Sequence, residues 1–382
     1  MKCPRCLNED ESWFYLGSKG WYCRKCISFG RILIEEDRES IGLTINEDEA
    51  KEYTLKYPLT EEQKRIAAGI LRYIPTNDVL VQAVCGAGKT EIVIPAISEY
   101  LSQKKKVCFS ISRRQVVLEV ADRLQGYFRN AKVIAVCGGY TDVIDGDLIV
   151  CTCHQLYRYY DAFDLLILDE CDAFPYKGNE VLKNIARTSC RGNIIYLTAT
   201  PDEELKQRVE KGTLICLKLN RRPHGKPIPV PRKIICMEWM NVFLLYRWLK
   251  EHERHPRIVF LPSIQQTNRI GKLFGLFMNC YVCTSKSEDR DEIIERFRQE
   301  KNGVMFSTTV LERGVTFPHA DVCVIHAEHP VYDEASLIQM AGRAGRDFND
   351  PTGDVLFLCN EKSDVVEHCI ESIQEANQSC DV

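Results

Sequence analysis

Three acids crowd into four positions at Asp169, Glu170 and Asp172, directly behind the apolar run Leu165-Leu166-Ile167-Leu168. Neighbouring carboxylates repel one another and are rarely buried unpaired, so the pattern asks for a cation. Upstream, the stretch AVCGAGKTE (83–91) supplies a matching partner. Gly86 and Gly88, flanking Ala87, let backbone amides turn toward an anion. Lys89 can reach the outer phosphates of a nucleotide. Thr90 can ligate Mg²⁺ while it opens a helix whose N-terminus favours negative charge, with Glu91 next in line. Asp169 then holds Mg²⁺ directly or through water, and Glu170 is placed to activate the attacking water as a general base.

A second chemistry stands at the beginning of the sequence. Cys3, Cys6, Cys23 and Cys26 read C-x2-C-x16-C-x2-C, two tight knuckles able to set four thiolates tetrahedrally around Zn²⁺. A module this small lacks a core without the metal. Cys280 and Cys283 repeat the spacing inside a strand-like run, which turns them to opposite faces, so they read as buried thiols. Cys151 and Cys153 share a face but lack two further ligands. Lys19, Arg24 and Lys25 stand with Trp21 on the cysteine head. That set suits single-stranded nucleic acid, by charge and stacking; a structural knob or a protein-docking module fits it equally well.

The elements that must position these groups are legible in the pattern. Short apolar runs alternate with amphipathic, helix-length segments from Val79 onward. Strands are expected at 79–84, 106–111, 132–136, 147–152, 164–169, 193–198 and 213–219. A second set is expected at 257–262, 280–284, 303–308, 320–326 and 353–359. Strands alternating with helices predict parallel sheets covered on both faces. The fold class is therefore α/β, with two tandem parallel-sheet domains and a small N-terminal zinc-binding module. The expected bounds are 1–34 for the cysteine head, 35–56 for an acidic, solvated spacer, 57–218 for the nucleotide-binding domain, 219–232 for a basic Pro-rich linker and 233–382 for the second domain. Arg221 and Arg222 in that linker either attract a nucleic-acid strand or are simply solvated.

Net charge is −4, so positive charge for nucleic acid has to be local rather than global. The 19 cysteines, with no signal peptide apparent, read as reduced thiols in a cytoplasmic protein. No apolar run approaches the roughly 20 residues of a membrane span.

From residue 57 to 350 the motifs, in order, resemble those of superfamily 2 helicases of the DExD/H type. LTEEQ (59–63) resembles the adenine-reading Q motif, SRRQ (112–115) motif Ia, TCHQL (152–156) motif Ib, DECD (169–172) motif II and TAT (198–200) motif III. STTVLERGVTF (307–317) resembles motif V and QMAGRAGR (339–346) motif VI. This resemblance implies two RecA-like domains that use ATP. Gln63, Gly314 and Gln339 join Gly86–Glu91 as nucleotide-binding residues. Arg343 and Arg346, three apart on an expected helix, would meet the charge of the transferring phosphoryl group. A nucleic-acid track would use Arg113, Arg114, Thr152, His154 and Gln155 in the first domain, and Ser263, Thr284, Thr308 and Thr309 in the second. Short hydroxyl and amide groups suit phosphate contacts, which position without reading sequence.

With the N-terminal CRKCISFGR (23–31) and the DAFP (172–175) that follows the acids, the chain is similar to the late competence family of ComFA-like DNA-uptake ATPases. That similarity implies a single-stranded-DNA-stimulated ATPase at the inner face of the cell membrane. It also implies a phosphoribosyltransferase-like competence protein and a membrane DNA channel as partners, with a recombination mediator and self-assembly as further options. A repair or replication-restart helicase, an RNA helicase and a non-enzymatic zinc adaptor are the competing readings.

Overall fold

The computed structural model describes residues 1–35, 38–44, 52–312, 315, 317–347 and 351–378. Strands in chain order are β1 Phe14–Gly17, β2 Gly20–Cys23, β3 Val79–Ala83, β4 Val107–Ile111, β5 Val133–Val136, β6 Leu148–Thr152, β7 Phe163–Asp169, β8 Cys190–Thr198, β9 Ile215–Leu219, β10 Arg232–Ile235, β11 Arg257–Phe260, β12 Cys280–Cys283, β13 Val304–Ser307, β14 Asp321–Ile325 and β15 Val355–Cys359. The chain divides into two compact units, 1–83 with 89–219, and 84–88 with 220–382.

The first unit carries a seven-stranded sheet in the order β5-β6-β4-β7-β8-β3-β9, parallel throughout. Its interior strands β4 and β6 are buried at every position. A parallel strand covered by helices on both faces can afford no polar side, which is why these stretches read as unbroken apolar runs. The second unit carries a six-stranded parallel sheet, β10-β15-β14-β11-β13-β12. Both are RecA-like sheets, and each of the twelve expected strands is present within a few residues of its expected bounds.

The strand β10 was not anticipated. Pro227, Pro229 and Pro231 hide it, and as an edge strand pairing only with β15 it needs no apolar run. Cys280 and Cys283 on β12 do face opposite ways, each joining a different core cluster of that sheet.

Two further corrections concern the chain outside the sheets. The spacer is not simply solvated where it is described. Ile41 and Leu43 pack on the first core, Ser40 Oγ donates to Asp161 O at 3.1 Å, and the Thr44 hydroxyl donates to Asp145 Oδ2 at 2.6 Å. Residues 38–44 form a strap, because their two apolar side chains find a surface to cover. Arg222 is neither solvated nor displayed: it is only 3% exposed and spends its guanidinium on main-chain carbonyls.

Candidate functional site

In the first unit β3 delivers the chain to the phosphate loop. Gly86 (φ 82°) and Gly88 (φ 78°) take left-handed conformations closed to side-chain residues, while Ala87 between them is fully buried. Lys89 and Thr90 open the short helix Lys89–Ile92. The Thr90 hydroxyl is largely buried and accepts a 3.0 Å hydrogen bond from Arg123 Nη2; the other arm of Arg123 pairs with Glu91 at 3.4 Å. Arg123 lies on the helix Arg114–Tyr127, far from the loop in sequence, and no local pattern marks it.

Asp169 is the last residue of β7. Its Oδ1 accepts from Glu170 N at 3.0 Å. Burial raises its pKa to about 6, with Lys89 pulling the other way and Glu170 adding to the rise. Glu170 sits at φ 53°, a strained conformation for a side-chain residue, held there by its amide bond to Leu197 O on β8. That twist turns the Glu170 side chain out of the register β7 would impose.

The third acid has a different task. Asp172 is 4% exposed and accepts hydrogen bonds from Thr198 Oγ1 at 2.6 Å and Thr200 Oγ1 at 2.7 Å. It therefore ties the DECD stretch to the TAT stretch at the end of β8. A small pocket, with room for little more than a water molecule, runs beside these groups, bordered by Ser110, Ser112, Cys153, Asp169, Glu170 and Cys171. Cys171 is buried, and burial pushes its thiol well above the ordinary range, which makes it an inert packing residue.

Gln63 is 4% exposed at the third position of the helix Glu61–Tyr73. Thr60 N donates to its Oε1 at 2.9 Å, and Gln63 N donates to Thr60 Oγ1 at 3.3 Å. The T-x-x-Q of the motif is thus a capping box, legible as such in the sequence.

The nucleic-acid candidates divide. Arg113 is the N-cap residue of Arg114–Tyr127. Arg114 Nε donates to Gly138 O at 2.7 Å and its guanidinium covers the Tyr140 ring. Thr152 is buried at the end of β6, and Gln155 accepts from Arg158 Nε at 2.6 Å. His154 remains accessible and stacks on Phe29 of the cysteine head, ring centroids 6.3 Å apart. In the second unit Ser263 caps the helix Ile264–Phe274, Thr284 is buried in a turn with Ser287, Thr308 is 9% exposed, and Thr309 opens a single helical turn.

Arg343 and Arg346 are not on a helix. The helix Glu334–Ala341 ends at Gly342, and the arginines fall in the turn beyond it, where Gly345 takes φ 62°. The glycines of G-R-A-G-R stop the helix, a signal present in the sequence. Arg343 is 2% exposed and its Nε donates to Glu312 O at 3.0 Å; Arg346 Nε donates to Gly342 O at 2.7 Å. Gln339 is buried on the same helix. Gly314 lies outside the described residues.

The four head cysteines converge. Their sulfurs all lie within 4.8 Å of one another, with Cys3–Cys26 and Cys6–Cys23 each at 3.7 Å. Tetrahedral thiolates around zinc at about 2.3 Å would stand roughly 3.8 Å apart, and a disulfide would need about 2 Å. The donor set fits a structural metal. The β1–β2 hairpin supplies Cys23, and the knuckle carbonyls are claimed by the first sheet unit. Asn184 Nδ2 donates to Cys6 O at 2.9 Å, Thr188 Oγ1 to Arg5 O at 3.2 Å, and Arg38 reaches Pro4 O at 3.5 Å and Tyr157 O at 3.2 Å. The head is therefore seated on Glu180–Ser189 and on the TCHQL turn, with Phe29 between His154 and Tyr157.

Comparison with known proteins agrees with this geometry. Residues 56–203 match the family described as type III restriction enzyme, res subunit, and residues 240–347 match the helicase conserved C-terminal domain. The chain is 34% identical to the competence protein ComFA of Bacillus subtilis strain 168, over 99% of this chain and 86% of that protein. It is likewise 34% identical to ComFA of Streptococcus pneumoniae strain R6, over 98% of this chain and 90% of the relative. Among solved structures, Saccharomyces cerevisiae Dbp5 bound to RNA and ADP BeF3 superposes with a TM-score of 0.66 at 18% identity, covering 83% of this chain and 87% of that one, a likeness of fold. With two RecA-like sheets, helicase motifs in order and a four-cysteine head, the chain belongs to the ComFA family of competence proteins, within superfamily 2 helicases.

Proposed function

We propose that the chain is an ATP-driven single-stranded-DNA translocase that draws DNA inward during bacterial competence. The observation that carries this reading is the near full-length similarity to ComFA, spanning the cysteine head as well as the motor. The likeness to helicases supports ATP hydrolysis. In the proposed cycle Lys89 and the amides of Gly86–Lys89 hold the phosphates, and Thr90 and Asp169 hold Mg²⁺. Glu170 orients and deprotonates the attacking water. Arg343 and Arg346 meet the charge that spreads over the transferring phosphoryl group. Gln63, Glu91, Gly314 and Gln339 complete the nucleotide site, with Gln63 reading the base by what its capping role leaves over.

Arg113, Arg114, Thr152, His154, Gln155, Ser263, Thr284, Thr308 and Thr309 form the proposed strand track. Cys3, Cys6, Cys23 and Cys26 bind Zn²⁺, which supplies the head with the cross-link its small core lacks. The bounds 1–34, 35–56, 57–218, 219–232 and 233–382 are the proposed functional divisions. The proposed setting is the cytoplasmic face of the membrane, with a phosphoribosyltransferase-like protein, a DNA channel and a recombination mediator as partners. Among the described residues no helix is long and apolar enough to cross a membrane.

The test is the ATPase rate with single-stranded DNA, duplex DNA and RNA in parallel at fixed ionic strength, because backbone binding is steeply salt-dependent. Strong stimulation by single-stranded DNA alone supports DNA uptake. Stimulation by RNA alone overturns it.

A further inference from the structure

Arg222 is a buried cation in an otherwise exposed stretch. Arg221, Pro223, Lys226 and Pro227 around it face solvent, whereas Arg222 is 3% exposed. Burying a guanidinium is costly unless its donors are satisfied, and here its forks are matched to carbonyls. Nη1 donates to Ala344 O at 2.8 Å and to Gly345 O at 2.7 Å, and Nη2 donates to Gly342 O at 3.0 Å. These carbonyls belong to the turn that follows the helix Glu334–Ala341, at the negative end of its dipole. The three bonds bracket Arg343 and abut Arg346. Arg346 shares the Gly342 carbonyl, its own Nε donating there at 2.7 Å. The two guanidiniums repel, and burial together with Arg346 lowers the Arg222 pKa to about 10, yet leaves it charged at neutral pH.

We infer that Arg222 is a positioning residue for phosphoryl transfer: it clamps the turn that presents Arg343 and Arg346. This rests on the proposed role of those two arginines in hydrolysis. The glycines have stopped the helix, and Arg222 adds three bonds to those that otherwise hold the turn, among them Arg343 N to Met340 O, Ala344 N to Ala341 O and Arg343 Nε to Glu312 O. A lysine would keep the charge but offers a point donor in place of a planar fork, and could not span three carbonyls. Arg222 also stands three residues beyond Leu219, the end of β9, and Leu219 is the register partner of Ala83, which precedes the phosphate loop.

The test uses the full zinc-loaded chain at saturating single-stranded DNA, with Arg222→Lys, Arg222→Ala and Arg346→Ala. Steady-state hydrolysis is measured alongside binding of a non-hydrolysable ATP analogue and of ADP with aluminium fluoride as transition-state mimic. For Arg222→Lys we expect kcat to fall about 10- to 100-fold, as misplaced catalytic groups do, with KM changed less than about twofold. Affinity for the aluminium fluoride complex should fall by the same factor, while affinity for the ATP analogue and the melting temperature hold. Arg222→Ala should show the same split more strongly if it folds; Arg222→Lys decides the matter if it does not. Wild-type kcat in Arg222→Lys, or equal weakening of both analogues together with a lowered melting temperature, overturns the positioning role. Wild-type kcat in Arg346→Ala overturns instead the reading on which it rests.

Discussion

The carboxylate of Asp169 offers the sharpest physical test. Its pKa is raised from 3.8 to about 6, chiefly by burial, so the native state holds a proton that the unfolded chain has already released. Between about pH 4 and pH 6 the folded form binds more protons, so stability falls as pH rises through that window and stays depressed above it. Two pKa units correspond to about 3 kcal/mol. Because Asp169 keeps some solvent access, about 1–3 kcal/mol is the expected penalty at pH 8. Asp169→Asn removes the charge but keeps an Oδ1 to accept from Glu170 N. Without metal or nucleotide, the variant should therefore be more stable than wild type at pH 8 by that amount, and equal to it near pH 4. Two sheets need not unfold as one, so the assay is hydrogen exchange read peptide by peptide across β7 and β8 in EDTA. Adding Mg²⁺ and ATP should reverse the order, since the wild type alone gains the full binding linkage. If Asp169→Asn opens as easily as wild type at pH 8 without metal, the carboxylate is not strained and the argument for a cation at this position fails.

Other perturbations bear on separate parts of the molecule. Lys89→Ala should abolish hydrolysis with an unchanged circular dichroism spectrum, and Glu170→Gln should bind ATP and retain single-stranded DNA while losing turnover; a wild-type rate for Glu170→Gln would rule out its role as base. Asp172→Ala should cost about 1–3 kcal/mol for the buried Thr198 hydroxyl left without its acceptor, visible as a lower urea midpoint. Cys23→Ser should drop bound zinc from one per chain toward none, and speed protease cleavage within residues 1–34 before any cut in the sheets; full zinc content in the variant would refute the four-thiolate site.

Much of this was readable in advance because it depends on local pattern. β4, β6 and β7 announce themselves as apolar runs since both faces are covered, and the capping box at Thr60–Gln63 is a fixed spacing. The cysteine spacing sufficed to anticipate a four-sulfur cluster. What stayed hidden depends on partners distant in sequence. Arg123 meets Thr90 across 33 residues, and Arg222 reaches carbonyls 120 or more positions away. Nothing near Arg222 distinguishes it from Arg221, which is exposed. The turn holding Arg343 and Arg346 was misread as helix although Gly342 and Gly345 stood in plain view. The strap at 38–44 was misread because Ile41 and Leu43, which dock it, sit in a stretch from 35 to 52 whose acids far outnumber them.

The seat of the cysteine head carries a consequence for synthesis. Asn184, which grips the Cys6 carbonyl, is made 178 residues after it. At ordinary elongation rates that interval is roughly 10–35 s, during which four thiols emerge from the ribosome before their platform exists. If the four thiols take the proposed zinc, the nascent knuckles can be closed by metal before Asn184 and its helix exist to seat them, so the head would fold on its metal first and dock second.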